Sequence, residues 1–307
     1  MNRRIVIGSR GSQLALWQAN WVKRRIEEAF EGLEVEISVI STKGDRIQTV
    51  SLPKLGEQGK GLFTKELEDA ILSRRIDLAV HSLKDLPTDF VEGLHIGAIC
   101  EREDVRDALV APPAIKGFSE LPVGTVVGTS SLRRIAQIRA VRPDLETVPV
   151  RGNVDTRLRK LDEGQYSALI LASAGLRRLG HAARITEYLE PDLMLSAAGQ
   201  GALAIETRIE DEEIGRIVRA LDHEPTRVAC QAERAFLKGL GGGCLVPIAA
   251  LGVVEGDSIR LEGLVARTDG SEIVRGTRTG PRSEPEATGL ALAQELLGRG
   301  ADRILKR

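Results

Sequence analysis

The stretch IVIGSRGSQLALWQA, residues 5–19, decides the fold. An apolar run of strand length ends at Gly8, a hydroxyl-bearing turn follows, and a helical pattern begins after Ser12, which has the chemistry of an N-cap. The same grammar returns in TVVGTSSLRRIAQIR, residues 125–139. A second pair of segments echoes in the same way. DLAVHSLKDLP (77–87) and ALILASAGLRRLG (168–180) both run from a strand into a serine with basic residues just beyond. Two repeats of one strand–turn–helix plan predict two lobes of similar design facing each other.

Working outward, strands are predicted at 4–9, 35–41, 76–82, 124–130, 146–150 and 167–173. Helices are predicted at 12–30, 64–75, 131–141 and 154–164. In the first helix Leu14, Trp17, Trp21 and Val22 are expected on the inner face. Such βαβ alternation implies parallel sheets with helices on both faces. From about residue 221 the pattern changes to a helix (226–240), three strand-like segments ending in turn residues, and a final helix from Pro285. That predicts a small antiparallel sheet covered by helices. The fold class expected is therefore α/β: two similar doubly wound lobes plus a small α+β third domain with a three-stranded antiparallel sheet. The domains fall at 1–102, completed by 197–220, at 103–196, and at 221–307. The segment TKGDRIQTVSLPKLGEQGKGLF (42–63) is polar, carries four glycines and is longer than an ordinary connector, as a lid would be.

The bulk numbers narrow the function. With 307 residues, 42% hydrophobic and 28% charged, the chain has the composition of a soluble globular protein. A net charge of −1 and only 3% aromatics argue against a polynucleotide partner. No apolar run reaches membrane-spanning length, and MNRRIVIGSR enters a strand without a leader-like apolar region. Cys100, Cys230 and Cys244 form no CxxC pair and the four histidines are scattered, so no metal site is expected. A reducing cytoplasm is the expected compartment.

Doubly wound sheets bind ligands at the carboxyl ends of their strands. Four such ends are expected at 8–12, 81–87, 128–134 and 150–157. Taken alone, each fits a plain N-cap or a surface turn. Together they gather basic side chains on one kind of edge. Residues 130–180 hold ten Arg or Lys against five acids, an excess of five in a nearly neutral chain. Arg133, Arg134, Arg151, Arg157 and Arg178 stand next to strand ends and Gly/Asn turns, where a guanidinium fork suits a carboxylate or phosphate. In HSLKDLP, Lys84 and Asp85 read either as a surface ion pair or as an acid kept ionised to meet a cation formed during reaction. GLGGGC places Cys244 directly after three glycines, either as a small residue opening a buried strand or as a thiol another molecule can reach.

GSRGSQLALWQA, TKGD, GKGLFTKELE, HSLKDLPT, EREDVRDAL, GTSSLRRIAQ, RGNVDTRL, GQGALAIE and GGGCLVP, in this order, resemble the porphobilinogen deaminase family over nearly the whole chain. The resemblance implies a periplasmic-binding-protein-like pair of lobes. It implies an enzyme that joins four porphobilinogen molecules head to tail, losing ammonia each time, to give hydroxymethylbilane. It also implies one dipyrromethane cofactor held by a thioether on Cys244, with Cys100 and Cys230 left to core packing. Asp85 is the implied catalytic carboxylate. Lys84, Ser82, Asp45, Thr129, Ser131, Arg133, Arg134, Arg157 and Gln200 are implied cofactor contacts. Arg10, Ser12, Phe63, Arg151, Asn153 and Arg178 are implied substrate contacts. A cytoplasmic monomer with no nucleic-acid or membrane partner is expected. Two departures stand out: Lys43 where the family often has Arg, and Val105 where Pro is common, which puts hinge stiffness between the lobes in question. Residues 43–60 are expected to open as the product chain grows.

Overall fold

The computed structural model describes residues 4–46, 64–242 and 246–305. Its residues divide into two units, one of residues 1–102 with 202–227 and the other of 103–201 with 228–307.

In the first unit, β1 (Arg4–Ser9), β2 (Glu34–Val39) and β3 (Leu78–Ser82) run parallel, with β1 in the middle. The sheet is completed by β10 (Leu203–Arg208), antiparallel to both β3 and β4 (Leu94–Ile99), giving the order β2-β1-β3-β10-β4. The sheet is thus mixed, where alternation alone predicts a parallel one. Side-chain alternation builds two layers. Ile5 and Ile7 pack with α1 (Gln13–Ala29) and α7 (Glu212–Arg219) on one face, and Val6 points toward α3 (Lys65–Leu72) on the other. The buried stripe of α1 is Gln18, Ala19, Val22 and Ile26, at helical spacing. Of the inner face expected there, Val22 is buried, whereas Leu14, Trp17 and Trp21 are only partly covered. The guanidinium of Arg25 lies over the Trp21 ring at 5.9 Å.

The second unit repeats the plan. Strands β6 (Val126–Gly128), β7 (Glu146–Val148) and β8 (Ala168–Ala172) are parallel. Strand β5 (Asp107–Val110) runs antiparallel to β8 and to β9 (Glu187–Leu189), in the order β7-β6-β8-β5-β9. Leu109, Val127 and Ile170 pack with α4 (Leu132–Val141) on one face. Ala108, Leu169 and Leu171 pack with α5 (Val154–Asp162) and α6 (Ser173–Arg178) on the other. The two sheets match strand for strand. In each, the antiparallel member is the strand supplied where the chain crosses from one unit to the other.

The same unit contains a three-stranded antiparallel sheet of β11 (Ile248–Glu255), β12 (Ser258–Ala266) and β13 (Ile273–Pro281). Its core is built with α8 (Glu224–Gly239) and α9 (Pro285–Leu296), centred on the fully buried Phe236. Gly263 of β12 leaves room for that ring; a Cβ there would come within 2.5 Å of Phe236 Cζ. The last helical stretch does not continue unbroken. Gly300, at φ +107°, separates it from α10 (Asp302–Leu305). Cys100 and Cys230 are both buried.

Candidate active site

The carboxyl ends of the parallel strands carry the predicted residues in both units. In the first, β1 leads through Arg10 and Gly11 to Ser12, whose hydroxyl accepts the Ala15 amide at 3.2 Å and caps α1. At the end of β3, Ser82 accepts a hydrogen bond from the buried Gln18 amide of α1 at 2.9 Å. One 3₁₀ turn, Leu83–Asp85, then presents Lys84 and Asp85. The turn is anchored by buried Leu83 and Leu86 and by the Leu83 amide, which donates to the Ala202 carbonyl at 3.0 Å. Lys84 is half-buried, and Asp85 is exposed. Among the described residues the Asp85 carboxylate has no hydrogen-bond or ion-pair partner, so it is open to an incoming cation. Beneath this turn lies a buried acidic cluster. His81 Nε2 and Glu206 Oε2 are 3.1 Å apart, and burial pushes the nearby Glu68 carboxyl above its ordinary range.

In the second unit, β6 runs into Thr129, Ser130 and Ser131. Thr129 is buried and its hydroxyl accepts the Ser131 amide at 3.3 Å; Ser131 occupies the N-cap of α4 without a side-chain capping bond. Arg133 and Arg134 follow, both buried. They converge on Asp107, the first residue of β5, paired in register with Ala172 at the end of β8. Arg133 Nη1 donates to Asp107 Oδ2 at 2.7 Å and to the Leu195 carbonyl at 2.7 Å. Arg134 Nη2 donates to Asp107 Oδ1 at 2.6 Å and its Nη1 to the Ile170 carbonyl at 2.9 Å. Gln200 Nε2 donates to Asp107 Oδ1 at 2.9 Å and to the Val105 carbonyl at 2.8 Å. Burial works to raise the Asp107 carboxyl, but the charges and hydrogen bonds of Arg133 and Arg134 outweigh it and hold the group far below the carboxylate range. Arg133 is lowered from its ordinary value by burial first and by Arg134, against the pull of Asp107.

The remaining described residues lie on turns and helices of their own units. Asn153 caps α5 by accepting the Thr156 amide at 2.8 Å. Arg157 Nε donates back to the carbonyl of Gly152 at 2.9 Å. Gly152 adopts φ +107°, a conformation that favours glycine, and so lets the chain turn between Arg151 and Asn153. Arg178 Nη2 donates to the Gly201 carbonyl at 2.7 Å. Asp45 lies in the short helix α2 (Lys43–Arg46). Phe63, Cys244 and most of the expected lid fall outside the described residues.

Sequence reasoning misses Asp107 and Gln18. The signal for Asp107 is present: a charged residue opening the four-residue strand DALV must find a partner once the strand is buried, and an arginine pair follows two elements later. Gln18 gives no such signal, because a polar residue in the first turns of a helix ordinarily faces water.

These features define a two-unit α/β protein with an open carboxylate in one unit and a buried, net-positive guanidinium pair in the other, a class suited to handling polycarboxylates. The family model described as "Porphobilinogen deaminase, dipyromethane cofactor binding domain" matches residues 5–216, and "Porphobilinogen deaminase, C-terminal domain" matches 227–298. The porphobilinogen deaminase of Carboxydothermus hydrogenoformans is 50% identical over 306 residues, covering 100% of this chain and 97% of its own. That of Geobacter metallireducens is 52% identical over 303 residues, covering 99% and 94%, and that of Desulforudis audaxviator is 52% identical over 307, covering 100% and 98%. The chain belongs to the porphobilinogen deaminase family. It is a transferase of tetrapyrrole biosynthesis that polymerises four porphobilinogen molecules, with release of ammonia, to give hydroxymethylbilane on a dipyrromethane primer. Among solved structures, the methionine-binding protein MetQ is similar at a TM-score of 0.45 and 15% identity, covering 71% of this chain and 89% of its own. The Bacillus subtilis extracellular-binding protein ytmK gives 0.43 at 10%, covering 72% and 91%. Likenesses this loose carry no argument.

The described residues fit a polycarboxylate cofactor. Arg134 Nε is a buried donor with no acceptor among them, and one carboxylate against two guanidinium groups leaves one positive charge unbalanced.

Proposed function

We propose that Asp85 is the catalytic carboxylate of this polymerisation and that Cys244 is the residue to which the dipyrromethane is joined through a thioether. The cofactor supplies the pyrrole terminus on which the product chain is built. The observation that carries the assignment of the grip is the buried surplus charge at Arg133 and Arg134, with the Arg134 Nε donor still without an acceptor. A carboxylate arriving there would meet both needs at once. Thr129, Ser131, Ser82, Lys84, Asp45, Arg157 and Gln200 complete the cofactor contacts in this reading. Arg10, Ser12, Phe63, Arg151, Asn153 and Arg178 take the acetate and propionate groups or the ring of the substrate.

Asp85 stands on a turn whose backbone is pinned at Leu83 and Leu86, so its carboxylate is held in place while remaining exposed. Positive charge that develops on a pyrrole as its amino group departs is stabilised by such a preorganised anion. The same oxygen atoms can receive the proton that leaves the ring carbon once the new carbon–carbon bond has formed there, a loss that restores aromaticity. The three glycines that precede Cys244 in the sequence carry no side chain to compete with a bulky group on its sulfur.

The site works in this reading on three parts, 1–102 with 197–220, 103–196, and 221–307, in a cytoplasmic monomer that takes no nucleic-acid or membrane partner. Among the described residues no helix is long and apolar enough to cross a membrane. The test is the intact mass of the purified chain. The wild type should exceed its sequence mass by two pyrrole units, and Cys244→Ser should not. A bare wild-type mass, or a loaded Cys244→Ser, overturns the assignment.

A further inference from the structure

We propose that Asp107 is a positioning residue of the reaction: it fixes the forks of Arg133 and Arg134 and trims their charge to a single surplus positive, so that the rim binds a ligand carboxylate. The inference rests on the reading of that arginine pair given above and adds a residue which that reading does not use.

The geometry argues for it in three steps. Asp107 is fully buried and is held from three directions, by Arg133, by Arg134 and by the Gln200 amide, at 2.6–2.9 Å. Both arginines are also tied to main-chain carbonyls, of Leu195 and Ile170, so their planes cannot rotate independently. A buried ion pair kept for stability alone would balance, since an uncompensated buried charge costs more than an apolar replacement. This one does not balance. Two guanidinium groups share one carboxylate, and the two cations disfavour each other, as the lowered Arg133 shows. Without Asp107 the like charges would separate and the forks would lose their common orientation. With a second internal acid the rim would be closed to ligands. The ratio of two to one is what leaves the pair ordered and still attractive to one more carboxylate.

The register explains how Asp107 reaches this place. Because β5 runs antiparallel to β8, its first residue lies beside the last residue of β8. An acid at the start of an antiparallel strand therefore arrives at the same edge as the carboxyl ends of the parallel strands, where α4 begins.

The test uses the full chain with its cofactor. Asp107→Asn keeps the shape and removes the charge. The expected result is a loaded fraction, read by intact mass, that falls about tenfold or more, and a KM for porphobilinogen that rises about tenfold with kcat per loaded molecule nearly unchanged. Asp107→Glu should recover part of the load. Gln200→Met leaves both ion pairs but removes a bond to Asp107 and a cofactor contact, and should lower the load and raise KM by about threefold each. Wild-type load and KM in Asp107→Asn overturn the proposal. So does a lower Tm with unchanged KM and no recovery by Glu, because that describes a purely structural acid. If Asp107→Asn fails to fold, Asp107→Glu decides in its place: it keeps the charge but moves the carboxylate, and wild-type load and KM there are fatal. A wild-type chain without added mass breaks the underlying reading instead, whatever Asp107 does.

Discussion

At the end of β1 the hydroxyl of Ser12 is committed to the Ala15 amide, whereas at the equivalent end of β6 Ser131 caps α4 through its backbone alone. The same contrast runs deeper into each unit. Below the first rim the buried ionisable groups are acidic, Glu206 and Glu68 around one imidazole, and an open Asp85 stands above them. Below the second, two guanidinium groups surround one carboxylate. Two repeats with one topology and nearly the same strand–glycine–hydroxyl grammar thus bury different charged groups below the carboxyl ends of their strands. The first unit sets an open anion beside the basic Arg10 and Lys84, and the second keeps a surplus buried cation. A reaction that creates positive charge on a pyrrole while holding its carboxylate arms has use for both.

The largest effect expected from this comparison is on the open acid. Asp85→Asn should retain fold and cofactor while losing at least about 10²–10³-fold in turnover, the scale on which removal of one preorganised electrostatic partner is felt. Steady-state kinetics on material of verified mass checks it. A rate within a few-fold of wild type would place the cation-stabilising group elsewhere and erase the contrast between the rims.

The glycines that end the two strands come next. Gly8 and Gly128 hold equivalent positions in the repeat. A Cβ on Gly8 would overlap Ile76 Cδ1 and touch Leu67 Cδ2, both ends of flexible side chains. A Cβ on Gly128 would lie 2.6 Å from Leu169 Cδ2 and 2.8 Å from Cδ1 of Tyr166, whose hydroxyl is tied to the Pro149 carbonyl at 2.9 Å. Gly128→Ala should therefore cost about 1–3 kcal/mol and Gly8→Ala less than about 1 kcal/mol. Thermal melts of the two variants decide it, and equal losses would mean that the second rim is no stiffer than the first.

The two rims also differ in how much of them the sequence makes legible. The repeat is visible because its strands are runs of Ile, Val and Leu, and because Ser12 and Asn153 carry ordinary capping chemistry. Strands β5 and β9 escape sequence reading, and of β4 only its end at Cys100 is legible. LHIGAI alternates weakly, DALV and EYL are short, and their antiparallel pairing depends on residues far away in the chain. Arg133 and Arg134 read correctly as basic residues at a strand end, but sequence gives no hint that an internal acid already engages them. That acid comes from β5, and only the sheet register brings it there. On α1 the tryptophans mislead, because their size suggests burial, while the smaller Ala19 and the branched Val22 and Ile26 fit closer to the sheet.

The caps give a smaller difference. Ser12→Ala removes a side-chain bond to a helix amide and should lower stability by about 0.5–2 kcal/mol. Ser131→Ala removes no such bond and should leave the melting temperature close to wild type while lowering the fraction of chain that carries the cofactor. Melting curves and intact masses of the two variants should therefore separate in opposite directions; a matched stability loss would show that Ser131 also caps its helix through the side chain.

The smallest effect, and the one that tests the acidic character of the first unit, concerns Glu68. Burial raises its carboxyl above the ordinary value, Glu206 and Asp69 add to the rise, and His81 opposes it. A folded-state value above the unfolded one means that the native state holds this proton more tightly. Folding therefore pays no penalty from Glu68 at a pH below its unfolded value of 4.5, and the penalty grows as pH rises from there through the folded-state value. At neutral pH the whole penalty is present. Glu68→Gln should accordingly melt slightly higher than wild type at neutral pH, and the gap should close as pH falls below about 4.5. Asp107 has the opposite sign: its lowered carboxyl stabilises the fold above the unfolded carboxyl range and loses that contribution only in strong acid. A Glu68→Gln gap that widens toward acid would mean that the carboxylate is stabilised where it lies, and the two units would then bury their acids in the same way.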